Sequence, residues 1–158
     1  GYSAGRFACK LLASIQSLLM KILILCTGNS ARSQMAQGFL QSFDPNLTVR
    51  SAGTKPADRV NPYAIEAMKE VGVYISDHSP TLVDQYLDDE WDYVITVCDH
   101  TNETCPAFLG KVDHRLHMGF EDPAATNGTQ EDILNKFREV RDQIEQEFKQ
   151  LYETRIKN

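Results

Sequence analysis

The sequence predicts an α/β domain built on a parallel sheet with helices on both faces. Two observations carry this. Continuous apolar runs such as KILIL (21–25) and YVITVC (93–98) are too short for helices, and they alternate with longer stretches whose apolar residues fall at helical spacing. The 158 residues, 42% hydrophobic and 24% charged, suffice for one domain with its own core. In such sheets ligands bind at the carboxyl ends of the strands, so the residues that follow each strand carry the functional information.

The elements follow in order. KILIL reads as a strand buried on both faces. A helix runs from about Arg32 to Phe43, with Met35, Phe39 and Leu40 on one side, and Asp44-Pro45 stops it. LTVRSAG (47–53) is a second strand. Asn61-Pro62 opens a helix with Ile65, Met68 and Val71 at core spacing, and Gly72 ends it. YVITVC is the third strand, and VDHRLHM (112–118) is a weaker strand candidate. Residues 129–155 form a long helix with the stripe Ile133, Phe137, Val140, Ile144, Phe148 and Leu151. Two strands therefore end in cysteine, Cys26 and Cys98, and both thiols point to the same edge of the sheet.

Residues 1–19 stand apart from the expected domain, 20–158. They hold Arg6 and Lys10 and no acid, the first acidic residue of the chain being Asp44. Their apolar residues suit a short amphipathic helix, and the expectation is an extension ahead of a natural start near Met20. Gln16 and Lys21 break the apolar run, so neither a secretion signal nor a membrane span is expected.

The net charge of −6 argues against a general nucleic-acid binder, which needs a basic face. Four cysteines (Cys9, Cys26, Cys98, Cys105) are too few for a disulfide-stapled secreted scaffold, which points to a reducing, cytoplasmic setting.

The chemistry lies in Cys26-Thr27-Gly28-Asn29-Ser30-Ala31-Arg32-Ser33, between a strand and a helix. Such a loop can wrap into a concave nest of backbone N–H groups finished by a helix N-terminus. Gly28 permits close backbone approach and Asn29 tolerates a left-handed conformation. Arg32 adds a planar donor fork suited to tetrahedral oxyanions. A nest of this kind favours the Cys26 thiolate, the nucleophilic form, and Ser33 can hydrogen-bond the sulfur. Displacement at an oxyanion also needs an acid for the leaving oxygen. Asp122-Pro123, in GFEDPAA (119–125), supplies one; alone it would be only a turn signal.

CTGNSARSQMA, SAG at 51–53, NPYAIEAMKEVG at 61–72 and GFEDPAA together resemble the low-molecular-weight protein tyrosine phosphatase fold, and within it the thioredoxin-coupled arsenate reductases. The resemblance covers about 20–153. It implies a four-stranded parallel sheet, a Cys26 nucleophile, Arg32 as anion binder, Asp122 as general acid, and Asn29 holding the shape of an oxyanion loop over Thr27–Ser33. It further implies that Cys98 and Cys105, with six residues between them, are a redox pair. Cys98 would attack an arsenate-bearing Cys26, releasing arsenite. Cys105 would then close a Cys98–Cys105 disulfide for thioredoxin to reduce.

The residues alone leave alternatives open. The Cys26 loop serves a phosphatase hydrolysing phosphate monoesters equally well. Cys98 and Cys105 with His100, His114 and His117 could form a zinc site, although the spacing lacks the tight pairs of structural zinc. A redox sensor or anion-binding module is a third class. The chain also departs from the resemblance. Ala31 stands where some reductases carry a further loop cysteine. Gln37 and Thr81 stand where some carry acids that hold a monovalent cation, while Ser51 is kept. Neither an organic cofactor nor a potassium dependence is therefore expected.

Overall fold

The computed structural model describes residues 20–99 and 106–157. The expected extension at 1–19, together with His100 and Cys105, lies outside them. Four strands form one sheet: β1 (Lys21–Cys26), β2 (Thr48–Gly53), β3 (Trp91–Thr96) and β4 (Val112–His117), in the order β2-β1-β3-β4. Every pairing is parallel, so all four carboxyl ends lie at one edge. β1 is central, and Ile22, Leu23, Ile24 and Leu25 are fully buried, as the unbroken apolar run requires.

Three α-helices follow the expected pattern: α1 (Arg32–Phe43), α2 (Pro62–Lys69) and α3 (Gln130–Leu151). Asn61 caps α2, accepting the Tyr63 N–H at 2.9 Å, with Pro62 in the first turn. Thr129 and Asp132 form a reciprocal capping box that starts α3. The α3 stripe holds as read: Phe137, Val140, Ile144 and Phe148 are buried, each contributing roughly 1.5–3 kcal/mol by its removal from water. They pack with Met35, Phe39 and Leu40 of α1 and with Ile22, Ile24, Val49 and Ile95 of the sheet. The chain then closes with a π-helical turn, Tyr152–Ile156.

The described residues cover both faces of the sheet, but unequally. The three long helices share the larger core. Leu23, Leu25, Ala52, Trp91 and Val94 face the other way, under Phe108 and the short 3₁₀ helix Val83–Tyr86. Among the described residues no helix is long and apolar enough to cross a membrane.

Several boundaries move from the sequence reading: α2 ends at Lys69, so Val71, read at core spacing, is 40% exposed, and α3 stops at Leu151 rather than 155. β3 pairs over Trp91–Thr96 rather than 93–98. Val97 and Cys98 are apolar because they are buried, not because they belong to the ladder, and burial is all that an apolar run reports. β4 ends at His117 and is half-exposed, as an edge strand should be, which explains its weak apolar signal.

Candidate active site

β1 delivers Cys26 to the carboxyl edge of the sheet, and α1 begins at Arg32. The five residues between them must turn the chain tightly. Asn29 does so at φ 51°, the one non-glycine residue with positive φ among those described. The turn is pressed against the end of β2. A Cβ added to Gly53 would lie 2.3 Å from the Thr27 carbonyl oxygen, so only glycine allows the approach.

Within this turn the sulfur of Cys26 is 3.1 Å from the Asn29 backbone N–H and 2.9 Å from Ser33 Oγ. The orientation of the Asn29 amide is fixed by its neighbours. The Thr81 N–H donates to Asn29 Oδ1 at 2.9 Å, so the Asn29 amide nitrogen faces the other way. It donates to Ser33 Oγ at 2.8 Å and to Ser51 Oγ at 2.9 Å. Ser33 accepts from Asn29 and has its own proton to give to the sulfur when Cys26 is a thiolate, and Ser51 directs its proton to Gln37 Oε1 at 2.5 Å. Cys26 thus receives two donors, the arrangement that suits a thiolate nucleophile.

The carbonyls of the turn are also accounted for. Those of Thr27, Gly28 and Ser30 accept from the N–H groups of Lys55, Ala57 and Asn61 at 3.0, 2.9 and 2.8 Å. The Ala31 carbonyl accepts from Met35 N at 2.9 Å, and that of Asn29 from Gln34 Nε2 at 3.0 Å. A trans peptide places its N–H opposite its C=O. With all five carbonyls held outward, the intervening N–H groups turn inward, which makes an anion-binding concavity.

Arg32 closes it. Its side chain is 6% exposed; Nη1 donates to the Phe120 carbonyl at 3.1 Å, and Nη2 lies 3.9 Å from Asp122 Oδ2. Asp122 is held locally, its Oδ1 accepting from Ala124 N at 3.0 Å as the chain enters the Pro123–Ala125 turn. Its side chain remains 40% exposed. The resulting cleft of about 270 Å³ is lined by Cys26 through Arg32, with Asp122 and Ala124.

The structure therefore brings together Cys26, Thr27, Gly28, Asn29, Ser30, Ala31, Arg32 and Asp122. Ser33, read as an oxyanion-binding residue, is fully buried and serves the sulfur instead. Cys98 follows Val97, whose N–H donates to the Leu25 carbonyl at 3.0 Å. Cys26 and Cys98 are thus the next residues of adjacent chains after a shared hydrogen bond. Cys26 is a free thiol, whereas Cys98 is buried and disulfide-bonded. The sequence reading missed Gln34 and the 55–61 segment. Both act through hydrogen bonds to the loop, and no pattern within either segment signals that.

Comparison with known proteins agrees with this geometry. The chain is 44% identical, over 134 residues, to an arsenate reductase of Halalkalibacterium halodurans; the match covers 84% of this chain and 95% of the relative. Among solved structures it resembles an arsenate reductase in the phosphate-binding state, with a TM-score of 0.70 and 30% identity over 84% of this chain and 96% of the other. A thioredoxin-dependent arsenate reductase of Corynebacterium glutamicum matches with a TM-score of 0.57 and 27% identity, covering 94% of this chain and 73% of the other. The family model for low molecular weight phosphotyrosine protein phosphatases matches residues 21–158. The match spans the central strand that ends in Cys26, the caged loop after it and Asp122-Pro123 across the cleft, and this chain belongs to that family.

Proposed function

We propose that this chain reduces arsenate to arsenite by a three-cysteine relay. The observation that supports the reading is that Cys26 ends β1 and Cys98 follows just past the end of β3, one residue after Val97, whose N–H bonds the Leu25 carbonyl, so both cysteines lie at the carboxyl edge of the sheet. Adjacent parallel strands lie about 4.8 Å apart, so a segment that follows β3 leaves the sheet close to the Cys26 loop. A purely hydrolytic cycle has no use for a thiol there.

The steps balance as follows. The Cys26 thiolate attacks arsenate in the N–H cradle, with Arg32 neutralising charge. Asp122 protonates the departing oxygen, which leaves as water. The Cys98 thiolate then attacks the Cys26 sulfur. The S–As bond breaks, its electron pair goes to arsenic, and As(V) leaves as As(III) arsenite. Cys105 attacks Cys98, freeing Cys26, and a thioredoxin dithiol reduces the Cys98–Cys105 disulfide. The electrons travel through sulfur, so no organic cofactor takes part, and the reducing chemistry suits the cytoplasm.

No monovalent cation is required in this reading. Gln37 and Ser51 satisfy each other by hydrogen bond, and the backbone N–H of Thr81 serves Asn29, so the region is closed by neutral groups. Turnover should be equal in sodium and potassium salts.

Thioredoxin-coupled arsenate turnover tests the relay. Cys26→Ser, Cys98→Ser and Cys105→Ser should each abolish it, while Cys9→Ser should not. Full turnover by Cys105→Ser would sink the relay. The cradle and Asp122 also favour a second, slower activity, hydrolysis of phosphate monoesters, which should depend on Cys26 and be indifferent to Cys98 and Cys105.

A further inference from the structure

We propose that Gln34 is a positioning residue for the oxyanion cradle, holding the Asn29–Ser30 peptide so that its N–H faces the anion. Five loop carbonyls are turned outward. Four of them are held by backbone N–H groups, which a side-chain substitution does not remove, and the Asn29 carbonyl is held by a side chain, Gln34 Nε2 at 3.0 Å. Gln34 is 1% exposed, so the bond is made out of reach of water.

The direction of the Gln34 amide follows from its neighbours. Its nitrogen faces two carbonyl oxygens, Asn29 O at 3.0 Å and Ser79 O at 3.4 Å, and carbonyls can only accept. Its oxygen faces His78 Nδ1 at 3.0 Å, so His78 carries its proton on that nitrogen and donates. The chain His78–Gln34–Asn29 therefore has one sense throughout, and the segment at 78–79 is tied through it to the catalytic loop.

Asn29 sits at φ 51°, a conformation its surroundings must enforce. Without the Gln34 donor its carbonyl would be buried and unpaired. Rotation of the 29–30 peptide would relieve this, but it would put a carbonyl oxygen into the cleft in place of the Ser30 N–H. An anion would lose one donor and meet one repelling dipole. The sulfur contacts would survive, because the Asn29 N–H belongs to the preceding peptide and Ser33 is held separately. Gln34 thus governs anion affinity and leaves the nucleophile alone.

The inference rests on the reading of this cleft as an oxyanion site, and the test separates the two. In the reduced full-length chain, iodoacetamide alkylation of Cys26 is followed by peptide mass spectrometry with and without inorganic phosphate. The parent protein should be protected by phosphate; absence of protection would remove the oxyanion reading and this inference with it. Gln34→Met should weaken protection about tenfold, the scale of a lost hydrogen bond to a charged group. Its alkylation rate without phosphate should stay within twofold of the parent. Gln34→Leu is of similar size and cannot donate, so it should weaken protection at least as much and serves if Gln34→Met fails to fold. His78→Phe should weaken it about threefold. Phosphate protection within twofold of the parent in both Gln34 variants would overturn the proposal. So would a change in the phosphate-free alkylation rate as large as the change in affinity, since that would mean a general loosening of the loop.

Discussion

The two sides of the cleft are built on opposite plans. The Cys26 loop is held from outside: its carbonyls accept from residues 34, 35, 55, 57 and 61, its Asn29 side chain is fixed by Thr81, and Gly53 lets β2 press against it. The Asp122 loop holds itself. Its carboxylate caps its own turn at Ala124, a proline follows, and the side chain is 40% exposed. Arg32, part of the first loop's end, touches the second at the Phe120 carbonyl and the Asp122 carboxylate. The difference matches the tasks proposed for the two loops. Stabilising an oxyanion demands donors that do not reorganise as charge develops. Delivering a proton demands only that an acid reach the leaving oxygen and exchange with solvent.

This contrast can be broken from either side. The largest effect is expected at the acid. Asp122→Asn should slow phosphate-ester hydrolysis by about 10²-fold or more. Phosphate affinity should stay the same or rise slightly, because a negative charge 3.9 Å from Arg32 has been removed. A parallel loss of affinity and rate would show that this loop also shapes the cradle. Next comes the cradle itself. Gly53→Ala places a methyl 2.3 Å from the Thr27 oxygen and should cost about 2 kcal/mol of stability, measured by denaturant unfolding, together with phosphate affinity. Unchanged stability and affinity would mean that the loop is not clamped by β2.

The smallest effect serves as a control remote from both loops. Glu70 receives hydrogen bonds from Arg138 at 2.6 and 2.9 Å and from Arg141 at 2.8 Å, joining the end of α2 to α3. The bonds from Arg138, then those from Arg141, pull the Glu70 carboxyl from 4.5 down to about 2. A lowered folded-state value stabilises above the unfolded pKa, and the contribution is lost as pH falls from about 4.5 toward 2. With Glu70 and Arg138 about one-third exposed, screening leaves about 1 kcal/mol. Glu70→Gln should lose that much at pH 7 and show a flatter acid limb in unfolding midpoint against pH, with phosphate affinity untouched.

Much of this was legible in the sequence for a physical reason. Cys26, Gly28, Asn29, Arg32 and Ser33 are contiguous, and their chemistry is written in local spacing. The α3 stripe and the Asn61-Pro62 start are equally local. What escaped was non-local. The N–H groups of Lys55, Ala57 and Asn61 act through the backbone and leave no mark in residue type. Gln34 looks like an ordinary polar residue of α1 until His78 and Asn29 are placed around it. The end of β3 was misjudged because Val97 and Cys98 are buried beyond the hydrogen-bonded ladder. The uneven cover of the two sheet faces was hidden as well, since Trp91, Val94 and Phe108 report burial without saying what covers them.

The central claim is that the Cys98 thiol takes part in the chemistry. Peptide-mapped mass spectrometry of the fully reduced protein, given arsenate and quenched by alkylation with phosphate as control, tests it most directly. A Cys98–Cys105 disulfide formed with arsenate and absent with phosphate is the predicted result; all four cysteines alkylated after arsenate would contradict the relay.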